Sequence, residues 1–201
     1  MRHFVLIGQT ASASGDFSLE DLPSTSGRLD VLLRAVRAAL LVSHGLRRDV
    51  LVYLVLRGGV TAPRTLRIDG RTVKFLRPDE RSLATLVKKT LQALPAPGPT
   101  FAEVRPGVEL RTGDLPEVLA EVEAAPCFVL DEAGPDLRTL TITSNDAWFF
   151  IGDHLGFDVV SPALLERHGC QRVSVGPVSL HSDDVVALVS NELDRRVGRE
   201  R

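Results

Sequence analysis

Apolar residues occur along the chain in two patterns, as short continuous runs and as longer segments with helical spacing. A continuous run is typical of a buried strand, and recurrence every three to four residues is typical of an amphipathic helix. The runs predict strands at 3–8, 50–58, 127–134, 148–157 and 171–177, the last three passing into loops. The helical spacing predicts helices at 29–43, 77–94, 114–124, 161–169 and 179–196. Strands that alternate with helices indicate an α/β fold with a mostly parallel sheet flanked by helices.

Glycine and proline mark the predicted turns and loops. Residues 64–75 are expected to form a hairpin that turns at Asp69-Gly70. The proline-rich segment 95–107 is expected to be a loop. No apolar run approaches the roughly 18 residues that a membrane helix needs, and the apolar part of the N-terminus is too short for a signal peptide. We therefore expect one cytoplasmic domain spanning residues 1–201.

The charged residues are distributed unevenly between the two halves of the chain. A net charge of −2 argues against a nucleic-acid partner. However, residues 1–100 contain 15 Lys+Arg and 8 Asp+Glu, a net charge of +7, whereas residues 101–201 contain 9 and 18, a net charge of −9. A basic half can attract a polyanion while an acidic half keeps the molecule soluble. A sampling fluctuation in composition is the alternative.

The cysteines and histidines do not indicate a metal site. Cys127 and Cys170 are too few and too far apart for a zinc cluster, and we expect two buried thiols. The five histidines show no HExxH or comparable spacing.

Three predicted strands of the second half end in loops with chemistry suited to a ligand. These loops surround Leu130, Gly152 and Gly176, and each offers backbone amides and carbonyls beside small or apolar side chains. Ligands of parallel sheets bind outside the carboxyl ends of the strands. No GxGxxG or GxxxxGK[ST] motif is present, which disfavours a dinucleotide or P-loop site. Taken singly, each loop could be an ordinary turn, and Asp153-His154 could be either an acid–base pair or part of a solvated loop or cap.

Five segments in order resemble the archaeal-type tRNA pseudouridine(54) N1-methyltransferase family, which belongs to the knotted SPOUT class of RNA methyltransferases. The segments are PSTSGRLD (23–30), HGLRRDVLVYLVL (44–56), RPDERS (77–82), FFIGDHLGF (149–157) and VSVGPVSLHSDDVVALVSNELDR (173–195). The resemblance covers almost the whole chain. It implies an α/β fold with a C-terminal trefoil knot, S-adenosylmethionine as cofactor, tRNA as partner and a homodimer formed through the knot region.

The resemblance also implies which residues contact the cofactor. They come from the same three loops and from one position in the final helix, which is usually Cys in the archaeal enzymes and is Val185 here. The implied contacts are Leu130, Gly152, Val175, Gly176, Pro177, Val178, Ser179, Leu180 and Val185. The change from Cys to Val could simply repack an apolar wall, or it could weaken cofactor handling.

Catalytic and RNA-binding roles are expected in the basic half. Arg28 is the candidate that anchors a phosphate or a uracil oxygen, and Asp30 is the candidate that orients or accepts the N1 proton. The alternative is that Ser26 and Asp30, which flank a helix start, simply cap it. The candidate phosphate contacts are Arg47, Arg48, Arg77 and Arg81, with internal ion pairs as the alternative. The expected activity is N1 methylation of pseudouridine 54 in tRNA. The alternatives are a knotted methyltransferase of ribosomal RNA and a non-catalytic RNA-binding homologue.

Overall fold

The computed structural model describes residues 1–93, 98–142 and 146–199. The strands are β1 (Arg2–Ser12), β2 (Leu41–Val42), β3 (Gly45–Leu46), β4 (Val50–Gly58), β5 (Arg64–Asp69), β6 (Ala102–Arg105), β7 (Val108–Thr112), β8 (Cys127–Leu130), β9 (Ala147–Gly152) and β10 (Gln171–Val173). The α-helices are α1 (Leu22–Thr25), α2 (Leu29–Leu40), α3 (Glu80–Ala93), α4 (Leu115–Leu119), α5 (Ser161–Arg167) and α6 (Ser182–Arg199). A 3₁₀ turn covers Leu137–Thr139.

Eight of these strands form one sheet in the order β10-β8-β9-β1-β4-β5-β7-β6. The five strands from β10 to β4 are parallel, and β4, β5, β7 and β6 pair antiparallel. The expected α/β fold with a mostly parallel sheet is confirmed. This order places β8 between β10 and β9, so that the carboxyl ends of these three strands are neighbours at one edge.

The sheet is covered on both faces because its central strands are apolar at nearly every position. Along β1, Phe4 and Leu6 contribute to the cluster that contains α2, α3 and α6. The alternating residues Val5 and Ile7 contribute to the second cluster, with α4 and α5. Successive side chains of a strand point to opposite faces, so a continuous apolar run fills two cores.

The predicted hairpin at Asp69-Gly70 is wrong. After β5 the chain turns, with the Val73 N–H donating to the Asp69 carbonyl at 2.9 Å, and it does not return as a strand. The antiparallel neighbours of β5 are β4 and β7. The predicted loop 95–107 is also wrong in part, because β6 lies within it and pairs with β7. Residues 94–97 of that segment and of the preceding helix lie outside the described residues.

Several helices are shorter or shifted relative to their predicted bounds, and one shift matters for the site. The predicted helix 29–43 ends at Leu40, where β2 begins, and the predicted helix 114–124 covers only Leu115–Leu119. The last helix begins at Ser182, not at Ser179. Residues 174–181 are therefore a loop that follows β10 and leads back across the sheet edge to α6.

Candidate cofactor and RNA site

The loops that follow β8, β9 and β10 meet around one cavity of about 360 Å³. Hydrogen bonds join them, because the Asp131 N–H donates to the Val173 carbonyl at 2.9 Å and the Ser182 hydroxyl donates to the Gly152 carbonyl at 2.9 Å. The predicted cofactor residues that line the cavity are Leu130, Gly152, Val175, Gly176, Val178, Ser179, Leu180 and Val185. Pro177 lies in the same loop without lining the cavity.

Glycine is favoured at Gly152 and at Gly176 for different structural reasons. A Cβ on Gly152 would lie 2.6 Å from the Gly156 backbone, so the fold itself requires glycine there. A Cβ on Gly176 would meet no protein atom within 4 Å. Packing therefore does not require glycine at Gly176, whereas its positive φ of 158° and a ligand that approaches the backbone closely would both favour it.

Three carboxylates that are not among the predicted cofactor residues also line the cavity: Asp131, Glu132 and Asp153, the last considered from the sequence only as half of a possible acid–base pair. The first two directly follow a buried strand, and this position was the signal that could have identified them. The Asp153 side chain is buried and accepts hydrogen bonds from the backbone N–H groups of Gln9 and Leu155, each at 2.8 Å. His154 Nδ1 is 3.8 Å from Asp153. Asp153 thus holds the loop after β9 against the end of β1.

The lining residues fit S-adenosylmethionine in chemical character. Leu130, Val175, Leu180 and Val185 supply apolar surface of the kind that an adenine ring needs, and loop backbone groups supply hydrogen bonds. The carboxylates suit a ligand that carries a sulfonium and an ammonium group. Val185 is 8% exposed and belongs to the main core cluster, so the position that is usually Cys in the archaeal enzymes is an apolar wall here.

Arg28 and Asp30 form one ion-paired network at the start of α2. Asp30 is 2% exposed and accepts hydrogen bonds from Arg28 Nε at 3.0 Å, Arg28 Nη2 at 3.1 Å and Arg34 Nη1 at 3.0 Å. Burial alone would raise the pKa of Asp30, but the two guanidinium groups outweigh it and hold the pKa below its usual value. Arg28 has a φ of 65°, and the hydrogen bond and charge of Asp30 raise the pKa of its guanidinium, with a smaller contribution from the charge of Asp153. The network therefore lies within electrostatic reach of the cavity.

The four predicted RNA-binding arginines divide into two pairs. Arg47 is half-buried and bonds Asp194 through Nη1 at 2.9 Å and Nη2 at 2.7 Å, and Arg48 donates to the Gly70 carbonyl at 2.8 Å. Arg77 and Arg81 are exposed and form no ion pair within residues 1–93, 98–142 and 146–199. The ion-pair alternative thus describes Arg47, while Arg77 and Arg81 have guanidinium groups available to a ligand.

The cysteines are free and buried, as expected. The hydrogen bond with Cys127 and burial raise the pKa of the Cys170 thiol. Among the described residues there is no group of three or more His, Cys, Asp or Glu that could hold a metal ion. In that same part of the chain, no helix has the length and apolarity needed to cross a bilayer.

The fold and the cavity define a class of protein, an α/β protein with a cavity at the carboxyl ends of its parallel strands. Residues 1–197 match the family described as "Putative SAM-dependent RNA methyltransferase", and the chain belongs to that family.

Relatives within this class have a more specific name. The chain is 41% identical to a tRNA (pseudouridine(54)-N(1))-methyltransferase from Methanococcoides burtonii, covering 98% of each chain. It is 44% identical to the enzyme of that name from Methanosarcina acetivorans, covering 97% of this chain and 92% of that one. Among solved structures it resembles Archaeoglobus fulgidus Nep1 bound to S-adenosylhomocysteine, with a TM-score of 0.64 and 16% identity over 96% and 97% of the two chains. This last similarity shows the fold.

Proposed function

We propose that this protein methylates N1 of pseudouridine 54 in tRNA and uses S-adenosylmethionine as the methyl donor. The observation that carries the proposal is the cavity, because loops from three adjacent strands bring nearly all of the predicted cofactor residues to one place. Relatives that cover almost the whole chain bear the name of this activity. A protein that modifies tRNA is expected in the cytoplasm, and we propose that location.

In this proposal the protein contributes mainly binding and alignment. The bound cofactor supplies an electrophilic methyl group on its sulfonium. Backbone groups at Leu130, Gly152 and 175–180 would hold the cofactor, and the carboxylates of Asp131 and Glu132 would face its positive charge. Good alignment of two reacting groups can supply roughly 7–11 kcal/mol of a barrier.

Arg28 is proposed to orient the target base, with Asp30 as the residue that positions Arg28. The Nε and Nη2 groups of Arg28 donate to Asp30, which leaves Nη1 to donate to a uracil oxygen or a phosphate. The low pKa of Asp30 makes its carboxylate a weak base, and its oxygens already accept three hydrogen bonds. We therefore favour the orienting role of Asp30 over proton acceptance.

Arg77 and Arg81 are proposed to contact phosphates of the tRNA. Glu80, at the start of α3 next to Arg81, lies 3.6 Å from Arg34, which in turn bonds Asp30. The exposed arginines therefore lie on a surface that continues from the network of Arg28. A target base in the T loop must leave its stack to reach a pocket, and phosphate contacts on both sides would support that change.

The knot and the homodimer are also part of the proposal, within one domain. Arg196 of α6 donates to the carbonyls of Leu140 at 2.9 Å and Leu137 at 2.6 Å, so the 3₁₀ turn after β8 contacts α6. This arrangement supports threading of the C-terminal segment through the loop that contains this turn. Exposed apolar side chains of Leu155, Val159 and Val160 beside the cavity support a dimer contact there.

Methyl transfer to short RNAs tests the function. We expect the purified protein to methylate a T-arm hairpin that contains pseudouridine at the target position, and not its uridine counterpart. Binding of S-adenosylmethionine without turnover on any RNA would favour the non-catalytic alternative. Turnover on ribosomal fragments alone would reject the tRNA assignment.

A further inference from the structure

A second cleft, of about 360 Å³, lies away from the cofactor cavity, between the segment after β5, α3 and β6. Its walls include the apolar side chains Val104 and Pro106, and Phe75 lies at its border. The segment with Phe75 follows the turn in which the Gly70 N–H bonds the Val50 carbonyl, at the amino end of β4. The cleft therefore lies near the opposite end of β4 from the edge where the cofactor cavity opens.

Phe75 is an unusual residue for a protein surface. Its side chain is 87% exposed, and its φ of 58° places a non-glycine residue in the left-handed region. Both features cost free energy, because the aromatic ring stays in water and the backbone is disfavoured for a residue with a Cβ. An exposed aromatic residue with a disfavoured backbone conformation is typical of a position that contacts a ligand.

Three cations accompany the ring, which are Lys74, Lys89 and Arg105. None of them forms an ion pair or a side-chain hydrogen bond within the described ranges 1–93, 98–142 and 146–199. The carboxylate of the nearby Glu103 accepts a hydrogen bond from the Gly107 N–H, and Glu103 does not line the cleft. The cleft thus combines an exposed aromatic face with uncompensated positive charge.

We propose that this cleft binds an unpaired nucleotide of the RNA substrate, with its base stacked on Phe75 and its flanking phosphates on Lys74, Lys89 and Arg105. Aromatic side chains beside a basic groove are the usual means by which proteins bind single-stranded nucleic acid. The cleft continues the exposed cationic surface of Arg77 and Arg81, which the same segment and α3 carry. The inference rests on the proposed function in that it assumes an RNA substrate.

The test measures, by fluorescence anisotropy, how tightly the wild-type chain and its variants bind an unmodified tRNA transcript. Phe75→Leu keeps an apolar side chain but removes the aromatic face, and we expect about tenfold weaker binding. Phe75→Trp keeps the face and should bind within about twofold of the wild type. Lys89→Gln and Arg105→Gln should each lower the slope of log Kd against log salt by about 0.7 to 1.

Equal affinity of Phe75→Leu and wild type would overturn the proposal, as would equal weakening by Phe75→Trp. A change of oligomeric state in Phe75→Leu, measured by sedimentation, would instead identify the surface as a protein contact and overturn it too. Methyl transfer by the wild-type protein to the pseudouridine hairpin is measured separately. Its failure would reject the proposed function, while the effect of Phe75 on RNA affinity would still be read independently.

Discussion

Replacement of Asp30 by asparagine distinguishes a positioning role from a role as general base. Asp30 accepts three hydrogen bonds from two guanidinium groups while being 2% exposed. Asn keeps the size of the side chain but removes its charge and directs an amide N–H₂ group at one of the cations. A hydrogen bond to a charged group contributes about 1.5–3 kcal/mol, and the arginines can regain water because their side chains are 42% and 40% exposed.

We therefore expect Asp30→Asn to destabilise the protein by about 2 kcal/mol, which lowers Tm by roughly 4–8 °C in a chain of this length. The released Arg28 should lose its fixed orientation, and single-turnover methyl transfer should slow by about tenfold or more. The pH dependence of the remaining rate should keep its shape, because Asp30 positions Arg28 and does not take the proton.

Asp69→Asn is the matched control. Asp69 forms the same kind of forked pair with an arginine two residues later, Arg71, at the opposite end of β4 from the site. Its substitution should lower Tm less, because Asp69 bonds one exposed guanidinium, and it should leave the methylation rate unchanged. Loss of the acid limb of the pH–rate profile in Asp30→Asn, or a wild-type rate and Tm, would refute the positioning role.

Three further predictions concern the cofactor loop, the fold and the RNA surface. Gly176→Ala should weaken S-adenosylmethionine binding by about tenfold or more in calorimetry, whereas Gly169→Ala, which also has positive φ and open space around its Cβ, should leave that Kd unchanged. Burial lowers the pKa of His3 despite its contact with Asp146, so the unfolded chain takes up a proton at a higher pH than the folded chain does. Tm should therefore fall as the pH drops through about 6.5, and this fall should be smaller in His3→Gln. Arg47→Ala should cost about 1 kcal/mol in chemical denaturation through the lost pair with Asp194, with little effect on tRNA affinity.

The sheet edge that carries the cavity could be predicted from the sequence because its determinants are local. Continuous apolar runs indicated parallel strands, and the loops after them had to meet at one edge once those strands were adjacent. The acidic wall was missed, since the sequence analysis described 127–134 as a strand that passes into a loop and gave Asp131 and Glu132 no role. The shared cavity shows that a carboxylate directly after a buried strand lies as close to this edge as the neighbouring glycine does.

The antiparallel half of the sheet could not be predicted in the same way. β6 and β7 are short and mix apolar with charged residues, as in Glu103 and Glu109, so their pattern resembles a loop. They become strands because β5 offers an unpaired edge, and that edge depends on long-range pairing. The same limit applies to Arg47, whose partner Asp194 is 147 residues away.

The most direct test of the account is a crystal structure of the protein with S-adenosylhomocysteine. We predict the ligand in the cavity between the loops at Leu130, Gly152 and Gly176, with its polar atoms bonded to backbone groups of 175–180. A ligand bound elsewhere on the protein while this cavity holds only solvent would contradict the assignment.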